Sequence, residues 1–170
     1  TTSAKGQIMS GIQQLSPFLM FENGRAEEAL NFYVDLFGGE VVLIDRYGPE
    51  NPAMDGRVRL ATFAIAGTQV NIIDSPVPHG FGFTPALSLF YRATSQAELD
   101  RLWTGLLGGG GHALMPLGDY GFGPFGWLND RYGVSWQLNL AAADAGVGDG
   151  ADGGAAGGGM AGNGMAEGTA

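Results

Sequence analysis

Apolar residues recur along this chain with two different periods. Between Arg25 and Phe37 they fall at Ala26, Ala29, Leu30, Tyr33, Val34 and Phe37, the spacing that gathers side chains on one face of a helix. Asn23 is placed to cap its start, and Gly38-Gly39 to stop it. A second stripe, Leu99, Leu102, Trp103, Leu106 and Leu107, follows Ser95 and ends at Gly108. Glu98, three residues after Ser95, completes a capping box. Each helix has one apolar face only, so each is expected to lie on a sheet.

The strand signals surround the helices in a repeated order. Residues 17–21 precede the first helix, and 40–47, 58–65 and 68–74 follow it. Residues 86–92 precede the second, and 113–117, 125–129 and 134–140 follow it. That is strand, helix and three strands, twice over, an α+β chain built by internal duplication. The halves superpose with Pro17 on Pro85, Glu28 on Glu98, Phe37-Gly38 on Leu107-Gly108, and Gly67 to Asn71 on Gly133 to Gln137. One module alone leaves a sheet face uncovered, so the two are expected to share a core. Module one then spans about 15–75 and module two about 84–140.

Outside this stretch the pattern fades. Residues 1–14 read as a flexible N-terminus. Residues 141–170 are nearly all Gly, Ala, Asp and Met, and read as a disordered tail that cannot offset its ordering entropy. The net charge is −9, with four acids in that tail (Asp144, Asp149, Asp152, Glu167). An acidic chain without a basic run is a poor binder of phosphate backbones, so no nucleic-acid partner is expected. No apolar run approaches the roughly 20 residues of a membrane span, and Thr1 to Gln14 lacks the basic start and apolar stretch of a signal peptide. The expectation is a cytoplasmic protein with no membrane partner. There is no cysteine, which excludes disulfides and thiolate chemistry.

Three stretches carry a resemblance: Ala26-Glu-Glu-Ala-Leu-Asn-Phe-Tyr33, Pro78-His-Gly-Phe-Gly-Phe-Thr-Pro-Ala-Leu-Ser88, and Gly126-Trp-Leu-Asn-Asp-Arg-Tyr-Gly-Val-Ser-Trp-Gln137. They resemble the vicinal oxygen chelate superfamily of glyoxalases, bleomycin-resistance proteins and extradiol dioxygenases. Within it they are most similar to the PhnB-like branch, often labelled 3-demethylubiquinone-9 3-methyltransferase. The resemblance implies two βαβββ modules forming an incomplete barrel, in a homodimer, with a ligand on the concave side. It also implies that four side chains, from the first and last strand of each module, converge there, and that in metal-dependent members these are usually His, Gln or Glu.

The internal repeat locates those positions here. Asn71 and Gln137 are equivalent on the last strands, and the proline match pairs Phe18 with Ala86 on the first. Phenylalanine and alanine offer a metal no lone pair, and amides are weak neutral donors, so no metal site and no metal cofactor are expected. Alternation puts Val134, Trp136 and Leu138 under a helix and Ser135, Gln137 and Asn139 on the concave face. Strand five likewise splits into Leu87, Leu89 and Tyr91 against Ala86, Ser88, Phe90 and Arg92. The expected ligand-binding set is Phe18, Asn71, Phe81, Phe83, Ser88, Phe90, Trp127, Ser135 and Gln137, aromatic walls with neutral polar groups.

The remaining chemistry is sparse. His79 is the leading candidate catalytic residue, as a general base or a ligand hydrogen-bond donor, against the plainer reading of a loop histidine bonded to backbone. His112 follows four glycines and is expected to be exposed. Glu22 and Asp74, at strand ends, are possible acids or bases, against the commoner reading of solvated carboxylates, and Asp130-Arg131 could be catalytic but reads first as turn residues at a hairpin tip. Gly121 to Gly126 matches the dinucleotide fingerprint in letters, but Pro124 lies inside it and a strand follows, so it is a turn. Two helices and no glycine-rich first turn also rule out a doubly wound methyl-donor site. The functional expectation is a protein that binds a small organic molecule without metal. The alternatives are an isomerase or lyase of the same fold, metal-free or metal-dependent, and a module with a structural or dimerisation role.

Overall fold

The computed structural model describes residues 13–140, so the predicted tail and most of the predicted flexible N-terminus lie outside the described residues. The elements follow the predicted order: β1 Phe18–Phe21, α1 Ala26–Phe37, β2 Glu40–Arg46, β3 Val58–Ile65 and β4 Thr68–Asp74 form the first module. The second comprises β5 Leu89–Ala93, α2 Gln96–Leu107, β6 His112–Asp119, β7 Pro124–Asn129 and β8 Ser135–Leu140. Each module makes one four-stranded mixed sheet, ordered β1-β4-β3-β2 and β5-β8-β7-β6. The first strand runs parallel to the last, and the other pairs are antiparallel. Among the described residues no strand of one sheet pairs with a strand of the other, and the two sheets do not close into a barrel.

Local chemistry sets the helix ends. α1 stops at Gly38, whose φ of 68° is costly for residues with a Cβ, and the Gly39 N–H closes the end on the Val34 carbonyl at 2.8 Å. Its start differs from the prediction. Arg25, not Asn23, occupies the cap position and offers no capping side chain. The Ala26 N–H donates instead to Asp74 Oδ1 at 3.1 Å, and Val58 N–H donates to Asp74 Oδ2 at 3.3 Å. Asp74 is therefore no solvated strand-end acid. It is buried, and holds the helix start to the ends of β3 and β4. α2 begins as predicted, with Ser95 Oγ accepting from Glu98 N–H at 3.2 Å. The reciprocal arm of the box reaches Thr94 N–H at 2.8 Å, and Glu98 also accepts from Tyr91 Oη at 2.7 Å, tying α2 to β5.

The two modules share one hydrophobic core. Leu19, Phe21, Val70, Ile72 and Phe63 come from the first sheet, and Leu128, Val134, Trp136 and Leu138 from the second. α1 touches both: the Tyr33 ring stacks on Phe63 at 6.0 Å and leans on Trp136 at 5.4 Å, and Phe37 stacks on Trp136 at 5.0 Å. The helices meet at Gly105, where a Cβ would run into the Leu36 side chain. Arg101 crosses the same contact, donating to the Leu36 carbonyl at 2.6 Å.

A carboxylate lies against this core at the junction of the modules. Asp130, expected as a turn residue, is only 3% exposed. Its Oδ1 accepts from the Tyr132 and Val134 N–H groups at 2.8 and 3.0 Å, which makes the hairpin turn. Its Oδ2 accepts from Tyr33 Oη at 2.7 Å and Trp136 Nε1 at 2.9 Å, which fastens module one to module two. Burial pushes the Asp130 carboxyl above its ordinary range, against the downward pull of these four donors. Burial, together with the neighbouring carboxylate, raises the Tyr33 phenol well above its own.

Candidate ligand site on the outward sheet faces

Alternation leaves the second face of each sheet turned away from the shared core. On module one the register places Phe18 beside Asn71, Asn71 beside Thr62, and Thr62 beside Leu43. On module two it places Phe90 beside Gln137, Gln137 beside Trp127, and Trp127 beside Met115. The rows are equivalent, so the structural partner of Phe18 is Phe90. The proline match, which pairs Phe18 with Ala86, is corrected: β5 begins at Leu89, and Ala86 lies in the exposed loop before it. Both phenylalanines stand out from their sheets, at 56% and 51% exposure.

The four positions at which the fold would converge metal ligands are thus Phe18, Asn71, Phe90 and Gln137. This set does not fit a divalent cation. Two members have no donor atom, and the Asn71 amide is engaged on both sides. Its Oδ1 accepts from Thr62 Oγ1 at 2.7 Å and its Nδ2 donates to Ser16 Oγ at 2.8 Å. Among the described residues no three His, Cys, Asp or Glu side chains come together as a metal-binding group. Thr62, which orients the Asn71 amide, has no counterpart in the predicted site, although alternation along β3 puts it on the same face.

The other predicted ligand-binding residues fall into three groups. Trp127, Ser135 and Ser88 lie together on module two: Trp127 Nε1 donates to Ser135 Oγ at 2.8 Å, and the Ser88 and Ser135 hydroxyls share a hydrogen bond at 2.7 Å. Ser135 is buried by these contacts. Phe83 packs edge-on to Phe21 at 5.1 Å, against the core rather than beside the rows. It lines a pocket of about 190 Å³ with Leu19, Leu87, Leu89, Val134 and Ser135, at the seam between the modules. That volume is below the several hundred Å³ usual for organic ligands. Phe81 is exposed on the loop between β4 and β5, its ring 5.4 Å from that of His79.

His79 is also held away from the rows. Its Nε2 lies 2.9 Å from Ser75 Oγ, and its backbone N–H donates to Glu22 Oε1 at 2.7 Å. Ser75 Oγ in turn bonds to the backbone of Val77 at 2.9 Å, and Ser75 N–H donates to the Phe21 carbonyl at 2.6 Å. These contacts fasten the loop to the end of β1. Glu22 holds the backbone of His79, not its ring. His112 is exposed, as expected.

Two four-stranded βαβββ sheets with outward rows at equivalent positions define a protein of the vicinal oxygen chelate class, with the glyoxalase and bleomycin-resistance fold. Residues 13–139 match the family described as 3-demethylubiquinone-9 3-methyltransferase, and the chain belongs to this PhnB-like family. A solved structure from Bacillus cereus, described as a 3-demethylubiquinone-9 3-methyltransferase PhnB protein, is 50% identical. The alignment covers 76% of this chain and all of that one, with a TM-score of 0.72. Protein PA1353 from Pseudomonas aeruginosa is 28% identical over 75% of this chain and 97% of its own, with a TM-score of 0.66. The fosfomycin resistance protein FosX from Listeria monocytogenes, solved with Mn(II) and 1S,2S-dihydroxypropylphosphonic acid, shares the fold at 15% identity. There the alignment covers 78% and 95% of the two chains, with a TM-score of 0.53. Among curated protein sequences none matches this chain. No described helix is long and apolar enough to cross a membrane.

Proposed function

We propose that this protein binds a small organic molecule on its outward sheet faces, with no resident metal, and that a homodimer completes the site. The carrying observation is the pair of equivalent rows, Phe18-Asn71-Thr62 and Phe90-Gln137-Trp127, each joining an aromatic surface to a neutral hydrogen-bonding group. Such a surface suits an organic molecule better than a bare ion. The rows turn away from the core their modules share, so one chain leaves both open. Leu43, in register with Thr62, is exposed as well, as are Val42 and Leu114 on the edge strands β2 and β6. A second copy that set the module-one face of one chain against the module-two face of the other would cover these residues and enclose a cavity.

The methyltransferase description of the family finds no support in the fold, which lacks the doubly wound sheet of a methyl-donor site. The metal-dependent alternative is weakened by the donor set. The test is metal content of the purified protein, with thermal-shift titrations of Ni²⁺, Zn²⁺, Mn²⁺ and Fe²⁺, followed by a compound screen and a sedimentation measurement. The expected result is no stoichiometric metal, no metal-induced stabilisation, a dimer, and stabilisation by at least one organic class. Stoichiometric metal would overturn the metal-free reading, and a monomer would overturn the shared cavity. Silence across all compound classes would leave the outward faces as an assembly surface.

A further inference from the structure

The two outward faces agree in the first row and differ in the next. Two residues beyond Phe18 and Asn71 the register pairs Met20 with Ile73. Two residues beyond Phe90 and Gln137 it pairs Arg92 with Asn139, which lies beside Phe125. One module therefore continues its row with apolar side chains, and the other with a cation and an amide. Residues two apart on a strand project from the same face about 7 Å apart, so Arg92 stands next to Phe90 and the Gln137 amide.

Arg92 is also an exposed cation with no ion pair among the described residues. Arg25, Arg46 and Arg59 pair with Glu28, Glu27 and Asp45. Arg101 donates to the Leu36 carbonyl, Arg57 lies against Gly24 and Met54, and Arg131 packs over Phe32 at 4.5 Å. Arg92 is exposed, has no ion pair or hydrogen bond among the described residues, and lies 5.4 Å from the centre of the Phe90 ring. Packing against an aromatic face limits the guanidinium's motion while leaving its N–H fork free to meet an oxyanion. Beside it the Gln137 amide has no hydrogen-bonding partner among the described residues, and Asn139 donates only to the Pro124 carbonyl at 3.0 Å.

We infer that the ligand is an amphipathic organic anion whose carboxylate, sulfonate or phosphonate group is received by Arg92, with Gln137 and Asn139 beside it. The apolar body lies over Phe90 and Trp127 and, in the dimer, against Phe18, Met20 and Ile73. This inference rests on the reading of the outward faces as the ligand surface, and adds the polarity and orientation of the ligand. In a chain of net charge −9 an exposed arginine without an ion pair among the described residues gives an anion a local partner on this face.

The test uses two fluorescent probes with the same ring system, 1-anilinonaphthalene-8-sulfonate and uncharged N-phenyl-1-naphthylamine, titrated into the full chain. Wild type, Arg92→Met and Arg92→Lys are compared after circular dichroism confirms unchanged folding and melting. Methionine is chosen because it is the module-one counterpart, and Arg92 is exposed near a sheet edge. Arg92→Met is expected to weaken the sulfonate about tenfold, the scale of one charge-assisted contact at a partly exposed site, and to leave the neutral probe unchanged. Arg92→Lys should keep part of the affinity. Equal sulfonate affinity in all three proteins, or equal loss of both probes, would overturn the inference while leaving the ligand surface standing. Failure of both probes to bind wild type would overturn the ligand-surface reading itself, and the inference with it.

Discussion

Replacing Tyr33 by Phe removes one oxygen from a fully buried ring and leaves its stacking on Phe63 and Trp136 in place. What is lost is the 2.7 Å bond to Asp130, a phenol of module one donating to a carboxylate of module two. A hydrogen bond to a charged acceptor in a dry site is worth about 1.5–3 kcal/mol, and no cavity term adds to it. Urea unfolding followed by tryptophan fluorescence, at fixed protein concentration, should show a loss of that size at neutral pH. The pH dependence has a definite sign. Burial already raises the folded-state pKa of Asp130, and the Tyr33 donor lowers it, so the variant's carboxyl titrates higher still. Above both folded-state values the charged carboxylate misses its donor in full. Below them the neutral acid misses less, so the gap between wild type and variant narrows as the solution is acidified. In both proteins the group itself favours stability at acid pH, because the native state holds the extra proton between the unfolded pKa of about 4 and the raised folded value. A double-mutant cycle with Asp130→Asn isolates the pair. A neutral-pH loss below about 0.5 kcal/mol, or a gap that widens towards acid, would refute the buried charge-assisted bond.

Other substitutions probe the scaffold separately. Asp74→Ala strips the start of α1 of its cap and leaves the Ala26 and Val58 N–H groups without an acceptor, so a loss of about 2 kcal/mol or more is expected by chemical denaturation. A loss no larger than that of an exposed aspartate variant would refute the capping role. Gly126→Ala places a Cβ against the rigid Trp103 ring between β7 and α2, and should cost about 1–3 kcal/mol in the same assay, with blue-shifted or broadened tryptophan emission; neutrality would show that the helix moves freely there. Ser95→Ala should cost about 1 kcal/mol through the start of α2, and Ser95→Asp should restore most of it if capping is the cause.

Most elements were legible because apolar period is a local property of the sequence, as in the stripe of α1 and the alternation of Val70 and Ile72 in β4. Register was not. Along an extended strand Ala86 and Phe90, four residues apart, would share a face; alternation assigns that face but cannot say which of them stands beside Gln137. The proline match chose wrongly, because Pro85 belongs to a loop and not to the strand. The caps divide in the same way. Ser95 and Glu98 are three residues apart and were readable, whereas Asp74 reaches Ala26 across 48 positions of sequence. Asp130 looked like an ordinary turn acid because its burial comes from Tyr33, 97 positions away in the other module. Phe83, a candidate wall that could equally be core on sequence, meets Phe21 in a tertiary contact that no local pattern carries.

The duplicated architecture bears on both the donor-poor set Phe18, Asn71, Phe90 and Gln137 and the position of the charge. Two copies of one βαβββ unit share a core through α1, so each contributes an equivalent outward row, and anything bound between rows meets two related surfaces. Phenylalanine on both first strands and amides on both last strands give such a site a neutral, near-symmetric centre, suited to a flat apolar body and not to a cation. Orientation must then come from where the modules differ. The next row supplies it, Met20 and Ile73 on one face and Arg92 and Asn139 on the other. A ligand with one charged end is held in one direction by that asymmetry, whereas an uncharged ligand would meet nearly the same surroundings either way round.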